Sequence, residues 1–435
     1  MEHIKQAACD PEADDLAIRE RVAEMLADIE ARGEDAVRAY ARDLDGWTGD
    51  FVLSPDKRSA LIASVPETVK DDIRFAHRQV HRFAEAQRDS LQSFEMETED
   101  GVRLGQSIVP VNVSGCYVPG GRYAHAASAV MSVTTAKVAG VPFVATCSPP
   151  RGDSIAPAVV YAMDLCGAGM ILEMGGVHAV ATMVFGLFGC PPVDLLVGPG
   201  NAYVAEAKQL LFGRVGIDVF AGPTESAIIA DASADPMTIA VDLVSQAEHG
   251  PTSAVWFMTT DRDLAETVHR ILPMVADDMP DPALIRAAWR DHGEIVLCED
   301  REEVCRVADA YAPEHLQVIT DDLDWWRARL KNYGSLFLGE GATVTHGDKC
   351  SGTNHILPTR QAARYSGGLN VQKFLKVLTW QEIDEAASIT FSGAGSRISR
   401  VEGMEGHARA CDWRLQKYAG NTDFDFEVYR QRRYT

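Results

Sequence analysis

The sequence predicts an α/β protein built from two doubly wound units, each with a parallel sheet. The chain has 435 residues, more than a single hydrophobic core usually supports. From residue 109 onwards, short β-branched runs alternate with runs of helical periodicity, which is typical of parallel sheets covered by helices. Hydrophobic residues make up 46% of the chain and charged residues 24%, as in a folded protein rather than a disordered one.

The predicted elements follow one another in a regular order. Residues 14–42 and 54–94 carry apolar residues at helical spacing, with a break at Gly33 and a new helix start at Pro66. A β-rich stretch at residues 109–121 ends in a turn. The strands expected after it are residues 141–146, 170–174, 193–197, 226–230, 253–258, 293–297, 316–319 and 335–338, and the helices are residues 126–138, 156–166, 180–187, 202–211, 237–247, 263–272 and 302–310.

The order of these elements also suggests domain boundaries. Residues 1–110 and 225–370 are predicted to form one α/β domain, and residues 111–224 a second domain nested within it. Residues 371–435 carry helical signals and are predicted to form a helical C-terminal extension. Low-complexity linkers and short-period repeats are absent from the sequence, so we expect the units to pack together.

Charge and cysteine content narrow the function classes. The chain has 41 Lys and Arg against 63 Asp and Glu, a net charge of −22, which disfavours nucleic acid and anionic membranes as partners. The nine cysteines are scattered and odd in number, which argues against a disulfide framework and for a reducing compartment. The N-terminus has no apolar signal-peptide core, and the uncharged run 175–193 is broken by glycine and proline. We therefore expect a soluble, cytoplasmic protein.

Two glycine-containing turns are candidates for cofactor binding. Residues 193–208 are predicted to form a strand, a Gly-Pro-Gly-Asn turn ending at Asn201, and a helix. Glycines allow close backbone approach and a helix N-terminus offers free N–H groups, an arrangement that suits a phosphate. An ordinary βα turn is the alternative, because the spacing is neither the dinucleotide fingerprint nor a Walker loop. Tyr117, in a second such turn, has a ring that could stack on a flat ligand.

Four separated clusters carry metal-binding or proton-transfer chemistry. Gln246 and His249 stand three residues apart on a predicted helix and share a face, although a histidine at a helix C-terminus is more often a surface charge. Adjacent Glu314 and His315 can serve two proton transfers in one pocket, with a Pro-Glu helix start as the alternative. The other two clusters hold Asp348 with His355 and Glu402 with His407. Carboxylate, imidazole and amide oxygen suit zinc, so the four clusters together favour one assembled site.

Seven ordered motifs resemble those of the histidinol dehydrogenase family, and the match runs from about residue 13 to residue 418. The motifs are Tyr117-Val-Pro-Gly-Gly, Gly198-Pro-Gly-Asn, Ala221-Gly-Pro-Thr-Glu, Ser245-Gln-Ala-Glu-His, Tyr311-Ala-Pro-Glu-His, Gly352-Thr-Asn-His and Glu402-Gly-Met-Glu-Gly-His. The resemblance implies Rossmann-like units, and a homodimer with shared active sites in which the terminal extensions pack on the partner. It also implies oxidation of a primary alcohol to a carboxylate through an aldehyde, with reduction of two NAD.

The resemblance further implies a role for each candidate residue. His315 is expected to be the base and Glu314 the activator of water. The implied zinc ligands are Gln246, His249, Asp348 and His407 of the partner subunit; the implied substrate contacts are Thr224, His355 and Glu402; and the implied NAD contacts are Tyr117, His178 and Asn201.

Three departures from the family pattern point away from histidinol as the substrate. Thr224 stands where the family has serine, His178 where it has glutamine, and Met404 where it has leucine. Segments 121–125, 347–350 and 360–368 look like the sulfopropanediol dehydrogenase branch, which oxidises 2,3-dihydroxypropane-1-sulfonate to sulfolactate. A sulfonate needs cationic or N–H donors, and we expect one or two basic residues near the motifs to bind it. The candidates are Arg122, His125, Lys349, Arg360 and Arg364.

Three alternatives remain open at this stage. A histidinol-oxidising enzyme would share the same motifs. A zinc metallohydrolase would use the same metal and Glu314 but would not need the Gly-Pro-Gly-Asn turn. A two-lobed binding protein is the non-enzymatic alternative, and it is disfavoured by the Glu314–His315 pair and by the N-terminal sequence.

Overall fold

The computed structural model describes residues 1–8, 15–120, 124–219 and 222–420. By internal contacts the chain divides into two compact units. The large unit comprises Met1–Asp89 and Pro110–Phe374, and the small unit comprises Ser90–Val109 and the chain from Leu375 onwards. Within the described ranges, no helix is both long and apolar enough to cross a membrane.

The helices and strands of the described residues are numbered in chain order. The strands are β1 (Glu2–Lys5), β2 (Phe94–Glu99), β3 (Val102–Pro110), β4 (Val113–Tyr117), β5 (Phe143–Ser148), β6 (Met170–Glu173), β7 (Leu195–Val197), β8 (Gly216–Ile217), β9 (Glu225–Ala230), β10 (Ala254–Thr259), β11 (Glu294–Leu297), β12 (His315–Ile319), β13 (Ser335–Leu338) and β14 (Leu375–Ile383). The helices are α1 (Asp15–Arg32), α2 (Glu34–Asp45), α3 (Pro55–Ser64), α4 (Glu67–Asp89), α5 (Ala126–Ala139), α6 (Pro157–Leu165), α7 (Gly176–Phe185), α8 (Ala202–Leu211), α9 (Pro236–Ala247), α10 (Arg262–Asp277), α11 (Pro282–His292), α12 (Arg301–Tyr311), α13 (Leu323–Arg329), α14 (Val344–Lys349), α15 (Glu385–Val401) and α16 (Glu405–Ala419), with 3₁₀ turns at Ala362–Arg364 and Val371–Phe374.

The large unit contains two sheets whose chain paths follow the same plan. The first sheet has the order β6-β5-β4-β7-β8, and all of its pairs are parallel. The second sheet has the order β1-β11-β10-β9-β12-β13, in which only β1 runs antiparallel to its neighbour. In both sheets the parallel strands run 3-2-1-4-5 in chain order. The path therefore reverses between β4 and β7 and again between β9 and β12, and such reversals open a crevice at the strand ends.

The strand composition explains why these sheets are buried. Strands in parallel sheets are covered on both faces by helices, so they read as continuous apolar runs rather than alternating ones. All five residues of β12 are buried, and β9 is buried after its first residue. The alternation predicted between residues 126 and 338 is confirmed, since every predicted strand and helix there has a counterpart. The prediction missed β1, β2, most of β3, β8, α11, α13 and α14, several of which are short.

The small unit corrects the prediction of an entirely helical C-terminal extension. Residues 375–383 form β14, which joins β3 and β2 in a three-stranded sheet. Val377, Leu378 and Trp380 in β14 are exposed, a pattern of β-branched and aromatic residues that favours a strand. The helices α15 and α16 form a hairpin in which Arg400 pairs with Asp412 at 2.5 Å.

A tight contact at the end of β7 joins two neighbouring strands of the first sheet. Gly198 has φ +120°, and a Cβ atom there would overlap the carbonyl oxygen of Tyr117 at the end of β4. The Gly198 N–H donates to Asp218 Oδ2 at 2.8 Å, and its carbonyl accepts from Lys208 Nζ at 2.9 Å. Lys208 and Asp218 are both buried and form a direct ion pair. Both backbone groups of this one glycine are thus held by buried charges.

We expect Gly198→Ala to destabilise the large unit by more than about 3 kcal/mol, because strain from positive φ adds to a backbone collision. Gly213→Ala is the matched control, since Gly213 also has positive φ, at +100°, but has open space where a Cβ would lie. The control should cost only about 1–2 kcal/mol. Urea unfolding followed by circular dichroism measures both. Equal losses in the two variants would show that the contact with β4 contributes nothing.

Candidate active site

The centre of the candidate site lies at the amino ends of β9 and β12. His315 is the first residue of β12 and is paired with Ser226 of β9, and Glu314 precedes it. The main chain of Glu225 contacts both side chains. Its N–H donates to Glu314 Oε2 at 3.2 Å, and its carbonyl oxygen lies 3.2 Å from His315 Nδ1. Because a carbonyl only accepts, Nδ1 carries the proton and Nε2 is left as the basic nitrogen of the neutral ring.

The basic nitrogen of His315 faces Asp348. His315 is 3% exposed, and its Nε2 lies 3.4 Å from Asp348 Oδ1 without forming a hydrogen bond of good geometry. Glu314 Oε2 lies 3.6 Å from Nδ1 on the other side of the ring. The imidazole is therefore flanked by two carboxylates, an arrangement that stabilises a proton arriving on Nε2.

Burial and charge shift the pKa values of this group in a consistent direction. Burial raises the pKa of Glu314 to about 8, and the positive charge of His315 offsets only part of the cost. Burial also acts to lower the pKa of His315, but the Glu314 and Asp348 carboxylates outweigh it and raise the value to about 9. Burial would raise the pKa of Asp348 as well, yet the close contact with His315 and its positive charge hold the pKa well below its usual range. The pair of Glu314 and His315 thus retains a proton near neutral pH.

His355 is fixed beside Asp348 by two contacts. Its Nδ1 lies 2.8 Å from the carbonyl oxygen of Asp348, and its Nε2 lies 2.9 Å from Ser128 Oγ. The carbonyl again requires a proton on Nδ1, so Nε2 accepts from the serine hydroxyl. Desolvation lowers the pKa of His355, which favours this neutral form. Sequence reasoning missed Ser128, which belongs to a helix of small residues and gives no chemical signal.

Gln246 and His249 lie at the C-terminal end of α9. Gln246 is 2% exposed, its Nε2 contacts Ser245 Oγ at 3.4 Å, and its buried Oε1 has no hydrogen-bond partner. The side chain of His249 is exposed. Surrounding protein atoms nevertheless lower its pKa, while the Asp348 carboxylate acts to raise it. His249, which follows α9, is therefore in the electrostatic field of Asp348.

These residues fit a zinc ion but do not enclose one. Within the described ranges, no three His, Cys, Asp or Glu side chains converge as a metal-binding group. The unpartnered amide oxygen of Gln246 is costly to bury and would be satisfied by a cation. With the Asp348 carboxylate and the His249 imidazole, it makes a donor set suited to zinc and lacking one ligand. Glu402 and His407, predicted to complete the site, are exposed residues of the small unit, at the end of α15 and the start of α16.

The predicted cofactor residues lie at the carboxyl ends of the first sheet. Tyr117 ends β4 and its hydroxyl accepts from the Gly176 N–H at 3.0 Å. Asn201 caps α8, with Oδ1 accepting from the Val204 N–H at 3.1 Å. His178 is buried in α7, and its Nε2 lies 3.0 Å from Asp45 Oδ2. Sequence reasoning missed the Lys208–Asp218 pair beneath this turn, although a lysine among the apolar positions of α8 was an available signal.

The basic residues predicted to bind an anionic substrate fall into two places. Lys349 is exposed at the end of α14, and its charge acts on His125, His249 and His355. Desolvation, with those neighbouring charges, lowers the pKa of His125 to about 4. Arg360 instead lines a small cavity with the first turn of α8 and with Gly222 and Pro223. Arg122 lies outside the described residues.

Glu225 is a further residue of the site that sequence reasoning did not single out. Its Oε1 accepts from the Arg360 N–H at 2.8 Å, while its buried Oε2 has no hydrogen-bond partner. Burial raises the pKa of this carboxyl to about 7. Thr224, just before it, accepts the Ala254 N–H through its carbonyl oxygen at 3.0 Å. Residues 224 and 225 therefore link the start of β9 to three neighbouring segments.

Comparison with known proteins gives consistent results. The sequence model of the histidinol dehydrogenase family matches residues 9–415. Sulfopropanediol 3-dehydrogenase of Ruegeria pomeroyi is 53% identical over 428 residues, covering 98% of each chain. Histidinol dehydrogenase of Thermus thermophilus is 39% identical, covering 92% of this chain and 95% of the relative.

Among solved structures, histidinol dehydrogenase from Elizabethkingia anophelis superposes with a TM-score of 0.87 at 29% identity, covering 95% of this chain and 94% of that one. The agreement extends over nearly the whole chain, so the resemblance seen in the motifs is confirmed at the level of the family and the fold. The chain belongs to the histidinol dehydrogenase family and is an NAD-dependent oxidoreductase that acts on a CH–OH group.

Proposed function

We propose that the chain is a zinc-dependent enzyme that oxidises 2,3-dihydroxypropane-1-sulfonate to 3-sulfolactate, through an aldehyde, with reduction of two NAD. The observation that carries the proposal is the position of His315, a buried imidazole whose Nδ1 faces a carbonyl, so that Nε2 is the nitrogen that gains and loses a proton. The choice of substrate is supported by the relative named sulfopropanediol 3-dehydrogenase, at 53% identity over nearly the whole chain.

Each cofactor would bind to residues described above. A zinc ion held by Gln246, His249, Asp348 and His407 of the partner subunit would polarise the substrate oxygen, and NAD at Tyr117, His178 and Asn201 would accept hydride. The unpartnered Oε1 of Gln246 supports the metal assignment. The proposal therefore requires a homodimer with shared sites, with the C-terminal extension packed on its partner.

In the first oxidation, His315 Nε2 takes the proton of the substrate hydroxyl while the carbon loses a hydride. The products are the aldehyde, NADH and a proton. The contact between His315 Nδ1 and the Glu225 carbonyl orients the ring during the transfer. The carboxylates of Glu314 and Asp348 stabilise the imidazolium that forms.

In the second oxidation, Glu314 takes a proton from the water that adds to the aldehyde. The hydrate then loses a hydride, and the carboxylate, a second NADH and protons are released. A carboxyl group with a pKa raised to about 8 is suited to this step, because a general base works best when its pKa is near the working pH. Burial of Glu314 also limits competing access by bulk water.

The basic residues are assigned by their position. Lys349 acts on His125 and His355, and Lys349 and His125 are proposed to hold the sulfonate, with Thr224, His355 and Glu402 proposed as further substrate contacts. Arg360 is proposed to approach the same anion from the side of α8, and Arg122 remains a candidate on sequence grounds.

Histidinol is the second candidate substrate. It is favoured by the 39% identical relative named histidinol dehydrogenase and by the superposed structure of the same name. Its imidazole and amine would, however, meet the positive charge of Lys349 in the proposed pocket. A zinc metallohydrolase, the other enzyme class raised by the sequence, does not fit a chain that belongs to this family of NAD-dependent oxidoreductases.

The strand order of both sheets in the large unit supports Rossmann-like, doubly wound architecture for each. The proposed domains are residues 1–110 with 225–370, residues 111–224, and a dimerisation extension at residues 371–435. The exposed apolar side chains of β14 support a role for this extension in packing against a second copy.

Lys349→Ala should lower kcat/KM for sulfopropanediol by ten- to a hundredfold, because a charge-assisted contact contributes about 1.5–3 kcal/mol. The value for uncharged propane-1,2-diol should change less than threefold. NADH absorbance measures both. Lys331→Ala, an exposed lysine elsewhere in the large unit, is the control. Equal losses on the two diols, or a wild-type enzyme that prefers histidinol, would contradict the assignment.

Wild-type enzyme should form about two NADH per substrate, since the aldehyde is oxidised in the same site. Glu314→Gln cannot accept the proton from water, so its yield should fall towards one as aldehyde accumulates. Absorbance at completion gives the ratio, and an aldehyde-trapping amine gives the intermediate. Glu302→Gln, an exposed carboxyl of α12, should behave as wild type. A wild-type ratio near one would refute the double oxidation.

The rate of the first oxidation should fall at low pH as His315 gains a proton on Nε2. Glu314 contributes most among the groups that raise the pKa of His315, so Glu314→Gln should lower that pKa and move the acid limb to lower pH. Single-turnover formation of the first NADH across pH measures the limb. An unchanged or higher midpoint in this variant would contradict the assignment of His315 as base.

A further inference from the structure

Asp242 lies on α9 one helical turn before Gln246 and joins two other elements of the site. One of its carboxylate oxygens, Oδ2, accepts from Gln317 Nε2 at 2.8 Å. The other, Oδ1, accepts from Thr343 Oγ1 at 2.9 Å. Asp242 is half-buried, and Gln317 is completely buried. A single carboxylate therefore connects three separate segments of the second sheet and its flanking helices.

Each of these segments carries a residue of the candidate site. Gln317 stands two residues after His315 on β12, so the two side chains share a face of the strand. Thr343 is the N-cap residue of α14, the short helix that carries Asp348. Residues 242 and 246 share a face of α9 because they are four apart. Asp242 thus sets the spacing between one proposed metal ligand on α9, another on α14, and the proposed base.

The main chain of Asp242 also orients the amide of Gln246. Its carbonyl oxygen accepts from Ser245 Oγ at 2.8 Å, and Ser245 Oγ lies 3.4 Å from Gln246 Nε2. Because the serine hydroxyl donates to the carbonyl, it is left to accept from the amide nitrogen. The amide oxygen, not the nitrogen, is then directed away from Ser245 and remains without a partner.

We propose that Asp242 is a positioning residue for the metal site, holding Gln246, His315 and Asp348 in register through Gln317 and Thr343. The inference rests on the proposed function, since it assumes that Gln246 and Asp348 bind zinc. Residues that orient metal ligands without touching the metal commonly lower metal affinity by about 10–100-fold when they are removed. The two hydrogen bonds that Asp242 makes with Gln317 and Thr343, called the Asp242 bridge below, require an acceptor for each donor. They do not require a negative charge.

A matched control separates this bridge from a general tether between α9 and the segment before α14. Thr238, also on α9, donates to Glu340 Oε1 at 2.9 Å on the exposed surface. Thr238→Val removes a connection between the same two segments without affecting β12. It should leave the site unchanged if the Asp242 bridge acts through the positions of His315 and Asp348.

The test measures zinc affinity directly, by competition between zinc-loaded full-length enzyme and a chromophoric chelator. Asp242→Ala should weaken zinc binding by about 10–100-fold. Asp242→Asn should stay within about threefold of wild type, because the new amide nitrogen can donate to Gln317 Oε1 after the glutamine turns over, while its oxygen still accepts from Thr343. Gln317→Leu should also weaken zinc binding, as Asp242→Ala does. Thermal unfolding of each variant shows whether it is folded.

The outcomes separate the inference from the proposed function. Wild-type protein that binds no zinc, or binds it undiminished in Gln246→Ala, would overturn the proposed metal site itself. If wild-type protein binds zinc and the zinc affinities of Asp242→Ala and Gln317→Leu both stay within threefold of the wild-type value, the positioning role alone is overturned. A loss in Thr238→Val as large as in Asp242→Ala would also overturn it, and so would an asparagine variant as weak as the alanine variant. If Asp242→Ala does not fold, Gln317→Leu decides the question.

Discussion

The pairing of β12 with β9 is the constraint on which the candidate site depends. His315 opens β12 opposite Ser226, and the preceding residue on β9, Glu225, offers the carbonyl and the N–H that orient His315 and Glu314. Since side chains alternate along a strand, a slip of one residue would turn His315 to the opposite face of the sheet. The register is held by apolar side chains buried on both faces, so the packing of the sheet and the geometry of the proposed base have the same origin.

The same packing forces the ionisable groups to satisfy one another. Each buried charge costs several kcal/mol unless a partner and hydrogen bonds compensate it. Glu314, His315 and Asp348 meet that condition as a group, and the Lys208–Asp218 pair meets it beneath the turn at Gly198. Removal of any member leaves its neighbours buried without compensation, so the stability of the fold depends on the complete group at both places.

The sequence allowed the order of strands and helices to be predicted, because parallel sheets produce long apolar runs separated by helical periodicity. It also allowed the polar clusters to be identified, because those residue types are costly to bury. Contacts between distant segments could not be predicted in this way. The partners of Lys208 and Asp242 depend on packing, and the position of Arg360 depends on left-handed backbone at Arg360 and Gln361, with φ of +53° and +60°. No residue type at 360 or 361 encodes that conformation.

The two sheets share a strand order, but their helices begin differently, which bears on where an anionic cofactor can bind. In the first sheet α5, α6 and α7 begin without a side-chain cap, and α8 is capped by the neutral amide of Asn201, so none of these four helices begins with a capping carboxylate. In the second sheet α9, α10 and α12 are capped by Asp235, Asp261 and Asp300, whose carboxylates already occupy those donors. A pyrophosphate at the carboxyl end of the second sheet would meet negative charge. The first sheet is therefore the one suited to a dinucleotide, while the proposed catalytic side chains lie at the amino-terminal edge of the second sheet.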